Sequence, residues 1–267
     1  MGSARPAAGG MGPRPDGAWT LAGIPFHADA SWLVIVALLT WSLAGGYFPS
    51  HYPSLPAALH WAMGLAASLL LFVCVLLHEL GHALTARRCG IPVAGIVLFI
   101  FGGVAQLARE PRRPAVELAV TLAGPLVSVL LAAACFWLAA AIPIRSHWQL
   151  VAAAIARYLA VINTGILLFN LLPGLPLDGG RILRAALWGW TGDLRAATRI
   201  ASLIGTLLGF GLMGLGILVL LRGAWVGGAW YLILGRFLRQ AARLSAVPST
   251  SLRTASRAES RGAGRGH

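Results

Sequence analysis

Residues 65–77 of this chain are almost wholly apolar and carry no charge, and they run directly into His78-Glu79-Leu80-Gly81-His82. An apolar run of this kind, set inside Ala57–Ala86, is long enough to cross a bilayer. Backbone at that depth must satisfy its own N–H and C=O groups, so the segment has to be helical. Ionisable side chains at membrane depth cost about 2.5–3.5 kcal/mol each on insertion scales, and groups retained against that cost mark a functional site. The spacing indicates which kind. His78 and His82 stand at i and i+4, so on a helix they share one face and can ligate one Zn²⁺. Glu79 lies beside them, where a carboxylate can take a proton from an attacking water.

Five further apolar runs accompany this one: Trp32–Phe48, Val116–Ile142, Leu150–Leu172, Ile200–Leu221 and Trp225–Leu238. The expected fold is therefore an all-α polytopic membrane protein with about six transmembrane helices. The last run is short for a span and is expected to tilt into the interface. Charged residues make up only 11% of the 267, whereas a soluble domain averages about a quarter. All 21 basic residues are arginine and the net charge is +13. That charge is not a nucleic-acid footprint, because most of the arginines lie between or near the ends of the apolar runs and sort by side. Arg87, Arg88, Arg109, Arg112, Arg113, Arg181, Arg184, Arg195, Arg199, Arg236, Arg239 and Arg243 fall on one side with both termini, and Arg145 and Arg222 on the other. The positive-inside rule then puts both termini in the cytoplasm. Residues 1–20 have no long apolar region of a signal peptide, so the first span is expected to act as its own insertion signal.

A catalytic zinc has three protein ligands and one position open to water. The helix motif supplies two. Acidic residues are few, and Glu117 and Asp178 are the serious candidates for the third. Glu117 opens the third run beside Arg112 and Arg113 and reads as an interfacial charge, whose ion pair is worth about 0–1 kcal/mol. Asp178 follows a fully apolar run in Asn170-Leu-Leu-Pro-Gly-Leu-Pro-Leu-Asp178-Gly-Gly-Arg181. There Pro173 and Pro176 stop the helix, and Gly174, Gly179 and Gly180 are expected to free the backbone. Broken backbone at membrane depth is tolerated where it is buried in protein or lines a wet cavity, which suits a carboxylate meeting a metal. Cys74, Cys89 and Cys135 are scattered and form neither a disulfide framework nor a Cys-x-x-Cys site. Cys74, at i−4 from His78, reads as a small packing residue.

With these residues in view the chain resembles the site-2 protease family of intramembrane zinc metalloproteases, in its six-span bacterial and archaeal branch. The resemblance rests on His78–Ala83, on Phe101-Gly-Gly-Val-Ala-Gln-Leu107, on Ala123-Gly-Pro-Leu-Val-Ser128, and on Asn170–Arg181. It implies one Zn²⁺ held by His78, His82 and Asp178, with Glu79 as catalytic base. It also implies that Asn170 lies near the site, where its amide can hold substrate or oxyanion. The implied activity is a metalloendopeptidase cutting within or near a transmembrane segment of a membrane-bound substrate, in regulated intramembrane proteolysis of a regulator or pro-transcription factor. The implied setting is a bacterial or archaeal cell membrane. Residues 89–107 are rich in Val, Ile and Phe around Gly102-Gly103, and by resemblance form a membrane-dipping β-hairpin or loop near the site. Its edge is a candidate for adding a substrate strand.

The expected organisation is a flexible cytoplasmic N-terminus over 1–20, a metalloprotease domain over 21–244, and a disordered basic tail over 245–267. Some relatives carry nucleotide-sensing CBS domains after the last span. The residues that follow it here are too few for one, so control by a separate regulatory membrane protein is expected. Expected partners are thus the lipid bilayer, a transmembrane protein substrate and that regulator, with no nucleic acid. Two rival classes fit the spans: a catalytically silent scaffold of the same fold, and a metal transporter. A silent scaffold would have lost Glu79 or a ligand. A transporter would string His, Asp and Glu along several helices, and here they cluster.

Overall fold

The computed structural model describes residues 19–246 except residue 101. The expected N-terminal stretch and basic tail lie almost entirely outside the described residues. The chain separates into two compact units. One holds Met1–Pro111 with Leu126–Thr164, and the other Arg112–Pro125 with Gly165–His267.

The first unit joins helices to a small sheet. Helix α1 (Ser31–Ser42) runs through a π-helical turn, Leu43–Tyr47, into the short α2 (Phe48–His51). Helix α3 (Ala57–Arg88) carries the His-Glu-His motif in its last three turns. Pro56, extended, opens α3, and Arg87 and Arg88 sit at its C-terminus, where cations complement the helix dipole. Gly90, at φ +75°, turns the chain out of the helix, with Ile91 N–H bonded back to the Ala86 carbonyl. Helices α1 and α3 meet at Gly64, where a Cβ would stand 2.8 Å from the Thr40 carbonyl oxygen. Thr40 Oγ1 donates to Ser68 Oγ at 3.3 Å beside that contact. A small residue and a hydroxyl pair are what hold helices together where lipid removes the hydrophobic drive.

Four strands form one sheet in the order β1-β2-β3-β4. Strands β1 (Trp19–Leu21) and β2 (Ile24–Ala28) make a hairpin across Ala22-Gly23, both at positive φ as a type I′ turn requires. Strand β2 pairs parallel with β3 (Val93–Phe99), and β3 pairs antiparallel with β4 (Gly102–Leu107). Strands β3 and β4 both fall within the β-rich stretch noted in the sequence, residues 89–107. The first two strands were not expected: an Ala-Gly pair between Trp-Thr-Leu and Ile-Pro-Phe is a short signal, swamped by the Gly- and Pro-rich residues before it. The sheet packs on α3 through a buried cluster of Ile24, Leu80, Ala83, Ile96 and Leu98. Leu80 lies within the motif and Ala83 directly follows it, so this cluster fixes the sheet beside it.

Helices α4 (Pro114–Ala141) and α5 (His147–Asn170) follow, each with residues in both units. In the second unit come α6 (Asp178–Thr191), α7 (Leu194–Leu221) and α8 (Trp225–Ser245). Asp193 caps α7, its carboxylate accepting from Arg195 and Ala196 N–H at 2.8 and 3.1 Å. Among the described residues five helical stretches are long and apolar enough to cross a membrane: Ser31–His51, Ala57–Arg88, Pro114–Ala141, His147–Asn170 and Leu194–Leu221. These correspond to the first five apolar runs. Helix α8 does not join them on length and composition.

Candidate metal centre

Helix α3 carries His78, Glu79 and His82 within five residues in the first unit. Both imidazoles are buried at 5% exposure, and their Nε2 atoms face each other at 3.1 Å. Two nitrogens bound tetrahedrally at about 2.0–2.1 Å from one zinc would be about 3.3 Å apart, so the pair fits the ion the motif implies. The remaining ring nitrogen of His78, Nδ1, lies 2.8 Å from Ser128 Oγ on α4.

Glu79 is half-buried against β4. Its Oε2 accepts a hydrogen bond from the Ala105 backbone N–H at 2.9 Å. The strand comes this close because residue 103 is glycine: a Cβ there would stand 2.7 Å from Glu79 Cγ. The hairpin therefore touches the expected base directly and orients its carboxylate.

In the second unit α5 ends at Asn170, half-buried, and α6 begins at Asp178, which is buried. The chain between them is tied to α7 by Leu175 N–H, which donates to the Ala201 carbonyl at 3.1 Å. Gly174, Gly179 and Gly180 do not serve as expected, because none of them has positive φ. What they permit is close approach. A Cβ on Gly179 would collide with the Leu171 carbonyl, and one on Gly205 of α7 with the Leu175 carbonyl. The start of α6 is thus wedged against the end of α5, and the loop between them against α7.

Glu117 is not the interfacial charge expected beside Arg112 and Arg113. It is 2% exposed, and its Oε1 accepts from Arg184 Nε of α6 at 2.7 Å and from Arg184 Nη2. A carboxylate held by a buried guanidinium is committed to structure, which removes Glu117 as a third ligand. Cys74, Cys89 and Cys135 are free thiols.

Sequence reasoning assigned no role to Ser128, Gly103 or the Ala105 N–H, although all three stand in segments that carry the resemblance. Besides its place in that segment, Ser128 is a hydroxyl in the middle of an apolar span, three residues after Pro125. Its partner, fifty positions away in sequence, could not be read from spacing.

Apolar helices around an His-Glu-x-x-His pair define the class: polytopic membrane proteins with a metallopeptidase-type centre. The model of peptidase family M50 matches residues 66–155 and 140–212. A Synechocystis sp. protein bearing the name of a zinc metalloprotease is 40% identical over 227 residues, covering 85% of this chain and 58% of its own length. Rip3 of Mycobacterium tuberculosis, also named as a zinc metalloprotease, is 38% identical over 224 residues, 84% of this chain and 56% of its own length. The chain therefore spans little more than half the length of these relatives. Among solved structures, the site-2 protease from Methanocaldococcus jannaschii is similar with a TM-score of 0.55 at 25% identity, covering 86% of this chain and 94% of that one. The chain belongs to peptidase family M50, the site-2 protease family that its motifs resemble.

Proposed function

We propose that the chain is a zinc-dependent metalloendopeptidase that hydrolyses a peptide bond within or near a transmembrane segment of a membrane-bound protein. The observation that carries it is the facing pair of buried His78 and His82 Nε2 atoms with Glu79 beside them, on a helix apolar enough to cross a bilayer. The family of the chain and the names of its relatives support the same reading. In this reading His78, His82 and Asp178 hold the ion. Zinc supplies a Lewis acid for the scissile carbonyl and lowers the pKa of its water to about 7.

The side chains do the rest. Glu79, aimed by the Ala105 N–H, takes a proton from the attacking water and returns it to the leaving amine nitrogen. One water is consumed, and a carboxylate and an amine result. The Asn170 amide donates to the oxygen that gains charge at the attacked carbonyl, a contact worth about 10²–10³ in rate. A helical substrate hides its carbonyls in i to i−4 bonds, so it must unwind locally, and Gly, Pro, Asn or Ser near the cut favours that. The β3–β4 hairpin offers a sheet edge to such an unwound strand. The biological setting that suits this chemistry is regulated cleavage of a membrane-bound regulator or pro-transcription factor in a bacterial or archaeal cell membrane, with access controlled by a separate membrane protein.

The test compares membrane proteomes of cells carrying the native chain and Glu79→Gln. The variant should keep its zinc, lose cleavage, and accumulate an uncut single-span protein. Cleavage that persists in the variant sinks the assigned base. An unchanged proteome supports the silent scaffold, and a change in cellular metal content alone supports a transporter.

A further inference from the structure

We infer that Ser128 is the positioning residue for the metal ligand His78, fixing which of its ring nitrogens is free to bind the ion. The inference rests on the metallopeptidase reading and extends it to a residue on another helix. An imidazole can ligate only through a nitrogen that carries no proton. The His78 Nε2 that faces His82 must therefore be unprotonated in the metal-binding state, and the single ring proton must sit on Nδ1. A proton on Nδ1 needs an acceptor, and Ser128 Oγ stands 2.8 Å away. The hydroxyl accepts it. The opposite tautomer puts the proton on Nε2, pointing at His82, and abolishes binding.

Burial sharpens the choice. Ser128 is 1% exposed and His78 5%, so bulk water does not offer a competing acceptor. The two residues belong to the same compact unit. The bond also acts mechanically. It fixes the ring's rotation about its Cβ–Cγ bond, and it does so from α4, so the direction of the Nε2 lone pair depends on the packing of α4 on α3. Metal-bound histidines commonly have their other ring nitrogen held by a carboxylate, carbonyl or water, and loss of such a partner typically costs 10–100-fold in metal affinity or activity. Here a serine hydroxyl takes that place. A carboxylate would add a further charge at membrane depth, whereas a hydroxyl accepts the proton without one.

The experiment measures zinc affinity of the purified full chain in detergent by competition with a chromophoric chelator, and the ligand-field spectrum of the cobalt-substituted protein. Neither readout requires turnover. Three variants are compared: Ser128→Ala, Ser128→Val and Ser128→Thr. Valine and threonine have nearly the same volume and differ in the hydroxyl. The expected result is a 10–100-fold weaker zinc affinity and an altered cobalt spectrum in the alanine and valine variants, with threonine close to the native chain. Equal affinity in the valine and threonine variants, whether both are native-like or both weakened, overturns the inference, because the hydroxyl then does nothing that packing does not. If the native chain itself binds no zinc, the metallopeptidase reading fails instead.

Discussion

At residue 103 only hydrogen fits. A Cβ there would stand 2.7 Å from Glu79 Cγ, 3.2 Å from Leu98 Cδ2 and 3.3 Å from Val75 Cγ1. Cγ is on the stem of the glutamate, so the side chain cannot yield by swinging its carboxylate alone. In Gly103→Ala either β4 retreats and the Ala105 N–H leaves Glu79, or the carboxylate is pushed off its line toward the water. A base misplaced by about 1 Å can cost about 10²-fold in rate. The expected outcome is a fall of that order in the rate of cleavage with zinc content unchanged, measured on the same preparation. Native cleavage rates in this variant would mean the hairpin does not orient the base. The contrast between Glu79 and Gly103 marks what sequence can show at this scale. His78, Glu79 and His82 were legible because the helix repeat fixes their relation locally. The backbone donor that orients Glu79 belongs to a strand 26 residues away, and its side chain, Ala105, carries no chemistry to notice.

At the scale of elements, the question is what holds α6, which begins with Asp178. Glycines wedge its start against the end of α5, and Arg184, one and a half turns further on, pairs with Glu117 of α4. Breaking a buried pair by removing one partner costs about 3–5 kcal/mol, because the other charge stays buried and unpaired. Glu117→Ala should therefore lower the unfolding midpoint sharply, where an interfacial charge would have cost almost nothing. Replacing both partners with apolar residues, Glu117→Leu with Arg184→Met, should recover most of the loss. Thermal unfolding of the purified variants in detergent checks this. A double variant no more stable than the single one would show that the pair does not carry the cost. Sequence gave Arg112 and Arg113 as partners because they are near in the chain, but proximity along a helix start does not bring their guanidinium groups to the buried side. The glycines were legible as a break in the apolar pattern but not in their use, since a close approach depends on which backbone lies opposite.

For the whole molecule, the open quantity is the number of crossings, which decides the side of the C-terminus. Five helical stretches among the described residues are long and apolar enough to cross, whereas α8 carries Arg236, Arg239 and Arg243 in its second half. Packing argues for a sixth crossing. A Cβ on Gly216 of α7 would meet the Gly228 carbonyl at 2.9 Å, and one on Gly209 would meet the Gly235 carbonyl at 2.8 Å. As residue numbers fall along α7 they rise along α8, so α8 runs antiparallel against it. The seam continues to Arg239, which lies 5.0 Å over the Phe210 ring. From residue 228 to residue 239 is about 16 Å of helix at 1.5 Å per residue, more than half of a hydrocarbon core of about 30 Å. We predict that a helix so matched to its neighbour returns with it, which would put its arginines at the cytoplasmic face that the positive-inside rule favours. The prediction is that reporter fusions after residues 52 and 146 report the outer side, and fusions after residues 110 and 245 the cytoplasm. The fusion after residue 245 is decisive. An outer signal there, with the other three as expected, would lay α8 along the interface and reduce the crossings to five.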